Sequence, residues 1–227
     1  MKKIAAALAA VALCAGAQAA TVSDSFTNTL QHTDFTNQTG TLDLFNTALG
    51  TLTGVSLTLY GQSVTDLVLT NTSNSVSEAS ASTRTRLTFS SSIGALSSLI
   101  GGSYKIQLLP TTDDTTLNPG QSATFNDVSD NSSYVVTGLN AILSAFNSSA
   151  GHNTFTISCS SATRLLTSVS GGNSDATQNT EAGCGASVVY TYTAAPTPHP
   201  TPEPASLALV GLGLAGVGVA RRKAKRA

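Results

Sequence analysis

From residue 50 onward the chain alternates apolar and polar positions with a period of two. Leu52–Tyr60 sets Val55, Leu57 and Leu59 against Ser56 and Thr58, and Val64–Thr70 repeats the pattern with Leu67 and Leu69. In Thr83–Phe89, Leu87 and Phe89 share one face while Arg84, Arg86 and Thr88 share the other. Similar stretches are Tyr104–Leu109, Ser122–Val128, Tyr134–Thr137, Thr154–Cys159 and Ala186–Thr193. Alternation of this kind is the mark of a half-buried strand, and the abundant Val and Thr suit a pleated surface. Turn signals fall between the runs, at Gly61-Gln62, Asn71 to Asn74, Gly101-Gly102, Asn118-Pro119-Gly120 and Gly171-Gly172-Asn173. Leu139, Ile142, Leu143 and Phe146 have helical spacing and predict a helix over Leu139–Phe146. Many short strands predict an all-β fold over residues 20–193, a β-sandwich or jelly roll. A solenoid would need a fixed repeat period, and none is found.

Both ends of the chain break this pattern. Lys2-Lys3, the apolar run Ile4 to Leu13 and Ala17-Gln18-Ala19 have the three-part order of a signal peptide over 1–19, cut after Ala19. An uncleaved anchor would need more than this run, given a hydrocarbon core about 30 Å thick. Cys14 raises a lipoprotein reading, but Leu13 stands where a small residue is required. At the other end, residues 194–204 hold five of the seven prolines and predict an extended stalk. Residues 205–220 are uncharged and rich in Leu, Val, Ala and Gly. As a single transmembrane helix they would span about 24 Å, a shortfall that snorkelling side chains and local thinning absorb. A buried helix of the globular domain is the competing reading, opposed by the prolines before it and the cations after it. Arg221, Arg222, Lys223, Lys225 and Arg226, in the tail 221–227, then form the topology signal, held on the cytoplasmic side. A GPI-type signal would lack that terminal basic cluster.

Charge sharpens the division. Charged residues make up only 10% of the chain and aromatics 5%, against roughly 25% charged in an average domain. The formal net charge of −1 hides a segregation. Arg84, Arg86, Lys105 and Arg164 are the cations between residues 20 and 204, against twelve acids, so that stretch carries −8. A nucleic-acid binder is excluded on this balance. Cys159 and Cys184 remain after signal removal, an even count that suggests one disulfide in an oxidising compartment. Two buried free thiols are the alternative.

Pro202-Glu203-Pro204, followed by a short Gly- and Leu-rich segment and an Arg-rich end, resembles a PEP-CTERM sorting signal over about 202–226. The resemblance implies an exosortase, a membrane cysteine transpeptidase of Gram-negative bacteria that make exopolysaccharide. It would cut near Pro202-Glu203-Pro204 and pass the domain to the cell surface or matrix. On this reading the partners are signal peptidase, exosortase, transiently the inner membrane, and exopolysaccharide. Leu44-Phe45-Asn46, Leu49 to Val55, the strand end at Asn71 and Ala79–Leu87 resemble the choice-of-anchor E family of bacterial surface domains. That likeness implies an architecture and a location, with no catalytic residues to transfer.

Little else points to chemistry. His32, His152 and His199 are scattered, with no metal-ligand spacing. No nucleophile elbow or phosphate loop is present, so no catalytic residue, metal or cofactor is expected and the chain is read as non-enzymatic. Asp113-Asp114, and Asp127 with Asp130, could hold Ca²⁺ from loops, as hard cations take clustered oxygens. Exposed loop acids are the plainer account. Paired carboxylates could also do glycosidase work, but the chain lacks the aromatics that stack on sugars. The favoured function is a noncatalytic surface or matrix protein sorted by its tail. A carbohydrate- or calcium-binding adhesive module is the alternative. An ice-binding face would need regular Thr ladders, and only isolated pairs such as Thr51–Thr53 and Thr83–Thr85 occur.

Overall fold

The computed structural model describes residues 19–149, 153–195 and 211–214. Residues 1–194 and 195–227 form two separate units. In the first, two antiparallel sheets pack face to face. One runs in the order β1 (Ala19–Thr27), β12 (Ser174–Ala194), β5 (Gly50–Asn71), β9 (Ser122–Val135), with β2 (Gln31–His32) also beside β12. The other runs β3 (Gln38–Asp43), β11 (Thr154–Ser170), β6 (Ser77–Ser91), β7 (Ile106–Leu108), with β8 (Thr115–Leu117) also beside β6. The pairs are nested: β1 with β12, β3 with β11, β5 with β9, and β6 with β7. That winding is the jelly roll, so the all-β expectation holds. A short parallel pair, β4 (Phe45–Asn46) and β10 (Asn147–Ser148), lies apart from both sheets.

Several strands are longer than their sequence signals. Leu52–Tyr60 and Val64–Thr70 are parts of the single strand β5, which runs straight through Gly61-Gln62. Gly61 is not a turn residue. A Cβ there would lie 2.5 Å from Leu87 Cδ1 and 2.9 Å from Ile106 Cγ2 of the facing sheet. The sheets approach closely at this point, which is the usual reason for glycine inside a strand. Gly40 answers the same need, since a Cβ there would meet the Phe26 ring. Ser122–Val128 and Tyr134–Val135 likewise belong to one strand, and the expected helix Leu139–Phe146 is a 3-10 segment broken at Ile142. A short helix, α1 (Gly94–Ile100), was not expected; it buries Leu96 and Ile100.

The core divides in two. The larger cluster gathers Leu57, Leu59, Leu87, Phe89, Phe146, Phe155, Ile157 and Tyr190 around Cys159 and Cys184. The smaller holds Leu67, Leu69, Ala79, Ala81 and Leu117. Between them lie buried Ser63, Thr65, Thr83, Thr85 and Thr180. Thr65 bonds Thr180 at 2.8 Å and Thr85 bonds Thr163 at 2.9 Å, each within its own sheet. Ser63 Oγ and Thr83 Oγ1 have no partner among the described residues.

Candidate functional site

The signal-peptide stretch, with Ala17, lies outside the described residues, as do the stalk from 196, Pro202, Glu203, Pro204 and the cations Arg221, Arg222, Lys223, Lys225 and Arg226. Of the expected membrane segment, 211–214 are described and are helical, with Leu212 and Leu214 exposed. No helix among the described residues is long and apolar enough to cross a membrane.

The ends of the domain lie side by side. β1 begins at Ala19, paired with Thr193, and Ala20 pairs with Tyr192 near the end of β12. First and last strand thus leave the jelly roll at the same end of one sheet. A cut after Ala19 removes one residue of β1 and leaves the register from Ala20 to Thr27 intact.

Cys159 on β11 and Cys184 on β12 are bonded, which joins the second strand of one sheet to the second strand of the other. Beside them Gln38 is buried, donating to Thr29 O at 3.0 Å and Ala182 O at 3.3 Å and accepting from Cys184 N at 3.1 Å. Gly183 and Gly185 flank Cys184, where a Cβ would meet Asn28 O at 3.2 Å and Phe26 O at 2.7 Å respectively. Glycine is required there because the chain around residues 26–29 crosses so closely.

One of the acidic pairs is placed differently from the loop setting that its sequence suggested. Asp127 and Asp130 stand in β9 and not in a loop. Asp127 has φ 55° and sits in a bulge, where its N–H donates to Asp66 Oδ1 at 3.0 Å. Asp130 Oδ2 accepts from Leu109 N at 2.7 Å. Asp113 and Asp114 are exposed beyond it. Among the described residues no three His, Cys, Asp or Glu side chains converge. Of the Thr pairs, Thr83 and Thr85 face inward and are fully buried, while Thr51 and Thr53 are exposed, with Thr51 opposite Thr193 across the β5–β12 pair. His32 pairs with Glu181 at 3.6 Å on the surface, and His152 and His199 lie outside the described residues.

A constellation that sequence reasoning missed joins β1, β3 and β12. Tyr190 Oη donates to Asp43 O at 2.7 Å, and Asp24 Oδ2 accepts from Asp43 N at 2.7 Å. Burial first, then the charges of Asp24 and Asp43, push the Tyr190 phenol well above its ordinary 10.0. The phenol is therefore a neutral donor at any physiological pH. In the unfolded chain it ionises near pH 10, while the folded state keeps its proton, so stability falls as pH rises past 10. Tyr190→Phe should cost roughly 0.5–1.5 kcal/mol at neutral pH. It should also flatten the alkaline limb of a stability–pH curve read by urea titration. The β4 residues Phe45 and Asn46 lie here too. Phe45 contacts Tyr190 and Tyr192 at centroid distances of 5.8 and 5.2 Å, and Asn46 Oδ1 caps the following turn at Ala48 N, 2.9 Å.

An open groove of about 450 Å³ runs along the outer face, past Tyr60, Gln62, Asn131, Ser133 and the glycines beside Cys184. Its walls hold neither a charged side chain nor a nucleophile paired with a base.

No curated protein matches this chain. A chain from the structure of infectious bursal disease virus Gx strain matches at 13% identity, over 78% of this chain and 37% of its own length. Its TM-score of 0.21 carries no argument. Residues 200–223 match the PEP-CTERM protein-sorting motif. The chain thus carries, beyond its β domain, a segment that matches a protein-sorting motif.

Proposed function

We propose that this is a noncatalytic bacterial surface or matrix protein, carried across the inner membrane by residues 1–19 and released from it by an exosortase acting near Pro202-Glu203-Pro204. The observation that carries the reading is the sorting motif at 200–223. The domain supports it in two ways. Its last strand, β12, ends at Ala194, before the stretch that carries the motif. Tail cations then hold the helix in place until the cut. The disulfide fits an oxidising compartment. The likeness to choice-of-anchor E domains gives the same location.

Cell fractionation tests the reading. Protein expressed from the complete gene should appear, shortened at its C-terminus, at the surface or in the medium. A variant lacking 200–223 should bypass the inner membrane stage and change its final fraction. An identical distribution of the two would refute sorting by the tail.

A further inference from the structure

Three of the four cations of the acidic domain share one patch. β6 and β11 pair with Arg84 directly opposite Arg164, and Arg86 follows two residues along β6 on the same outer face. Like charges directly opposite in an antiparallel pair are destabilising. A strand rise of about 3.4 Å per residue puts Arg86 only about 7 Å from Arg84. Among the described residues no carboxylate lies within ion-pair distance of the three arginines, though Asp34 Oδ1 accepts from Thr163 N, next to Arg164, at 2.6 Å. Arg86 is held ready, its guanidinium 4.4 Å from the Tyr104 ring centroid and its Nε donating to Gln107 Oε1 at 3.2 Å. That leaves its terminal nitrogens to face outward.

We propose that this face binds an anionic polysaccharide through its carboxylates. Arginine forks donate to both oxygens of a carboxylate at once, and such charge-assisted bonds are the strong ones. A bound carboxylate between Arg84 and Arg164 also removes their repulsion. Ser82, Thr88, Ser160 and Gln107 surround the patch on the same side and offer partners for sugar hydroxyls. The patch is short. Acids bound it on every side: Asp34 is bonded at Thr163 N on β11, Asp130 at Leu109 N just past β7, Glu78 lies six residues from Arg84 on the same face of β6, roughly 20 Å away, and Asp43 on β3 lies beyond the other end. A nucleic acid, with a charge every 1.7 Å or so of duplex, would run onto these acids. A polymer with sparser carboxylates would not. The choice of polysaccharide rests on the exported location proposed above; the anion preference rests on the register alone.

Calorimetry of the purified protein decides the matter without reference to tail processing. The probes are polygalacturonate, neutral dextran and phosphatidylglycerol vesicles. Polygalacturonate should bind, more weakly at high salt, and dextran and vesicles should not. Arg84→Ser/Arg164→Ser should weaken binding by roughly tenfold or more, while its melting temperature stays level or rises as the repulsion is lifted. Arg164→Lys, which keeps the charge but not the fork, should bind less well than wild type. Equal heats with polygalacturonate and dextran, vesicle binding as strong as polymer binding, or full binding by both variants would overturn the proposal.

Discussion

Reducing the Cys159–Cys184 bond should lower the stability of the domain by about 3–4 kcal/mol, the loop-closure value for a separation of this length. The bridge spans 25 residues that run up β11, round Gly171-Gly172-Asn173 and back along β12. It therefore fixes two strands of opposite sheets that the chain alone joins only at the far turn. Both sulfurs lie inside the larger core cluster, so the double variant Cys159→Ala/Cys184→Ala adds a small cavity to the lost cross-link. Thermal melts with and without reductant under denaturing preincubation read the difference. An unchanged melting temperature would show that the packing of Phe89, Phe146 and Phe155 holds the sheets together unaided.

Asn71→Asp should be of similar size. Asn71 is fully buried where β5 ends. Its amide nitrogen donates to Ser75 O at 2.8 Å and Leu117 O at 2.9 Å, and its Oδ1 accepts from Ser73 N at 2.9 Å and Ser73 Oγ at 2.7 Å. One side chain thus ties the β5–β6 turn to β8. The β11–β12 turn is held to the same tip by Ser75 Oγ, which donates to Gly171 O at 2.9 Å. A carboxylate in that place turns an oxygen towards two carbonyl oxygens and buries a charge without a partner, at a cost of roughly 2–4 kcal/mol. Asn71→Ala leaves Leu117 O short of a donor and should cost less. Urea unfolding of the two variants should place the Asp form below the Ala form. The opposite order would mean that the tip opens enough to solvate the charge.

The fold was legible in the sequence where one face of a strand is apolar. Leu57, Leu59, Leu67, Leu69, Leu87 and Phe89 all turn inward as their alternation predicts. It was obscured where the inner face is polar. Ser63, Thr65, Thr83 and Thr85 are core positions carrying hydroxyls, so the sequence pattern breaks while the strand continues. Gly61 misled for a different reason. Its signal is that of a turn, but its cause is the facing Leu87 and Ile106, which only the sheet pairing brings near. β1 and β3 have too few apolar residues to be seen alone; they are recruited as partners of β12 and β11. The sorting tail was legible because its parts are consecutive. The arginine patch was half legible: Arg84 and Arg86 alternate visibly, whereas Arg164 joins them only through the β6–β11 register. Tyr190 carried no local signal, since Asp43, which accepts its hydrogen bond, is 147 residues away in sequence.

The central claim is that the C-terminal segment is a temporary tether, removed once the domain has been delivered. The intact mass of the protein recovered from the cell surface or medium of wild-type cells tests it most directly. A polypeptide starting at Ala20 and ending near Pro202-Glu203-Pro204, with or without an added anchor, is the result this account requires. A polypeptide that retains every residue through Ala227 would contradict it.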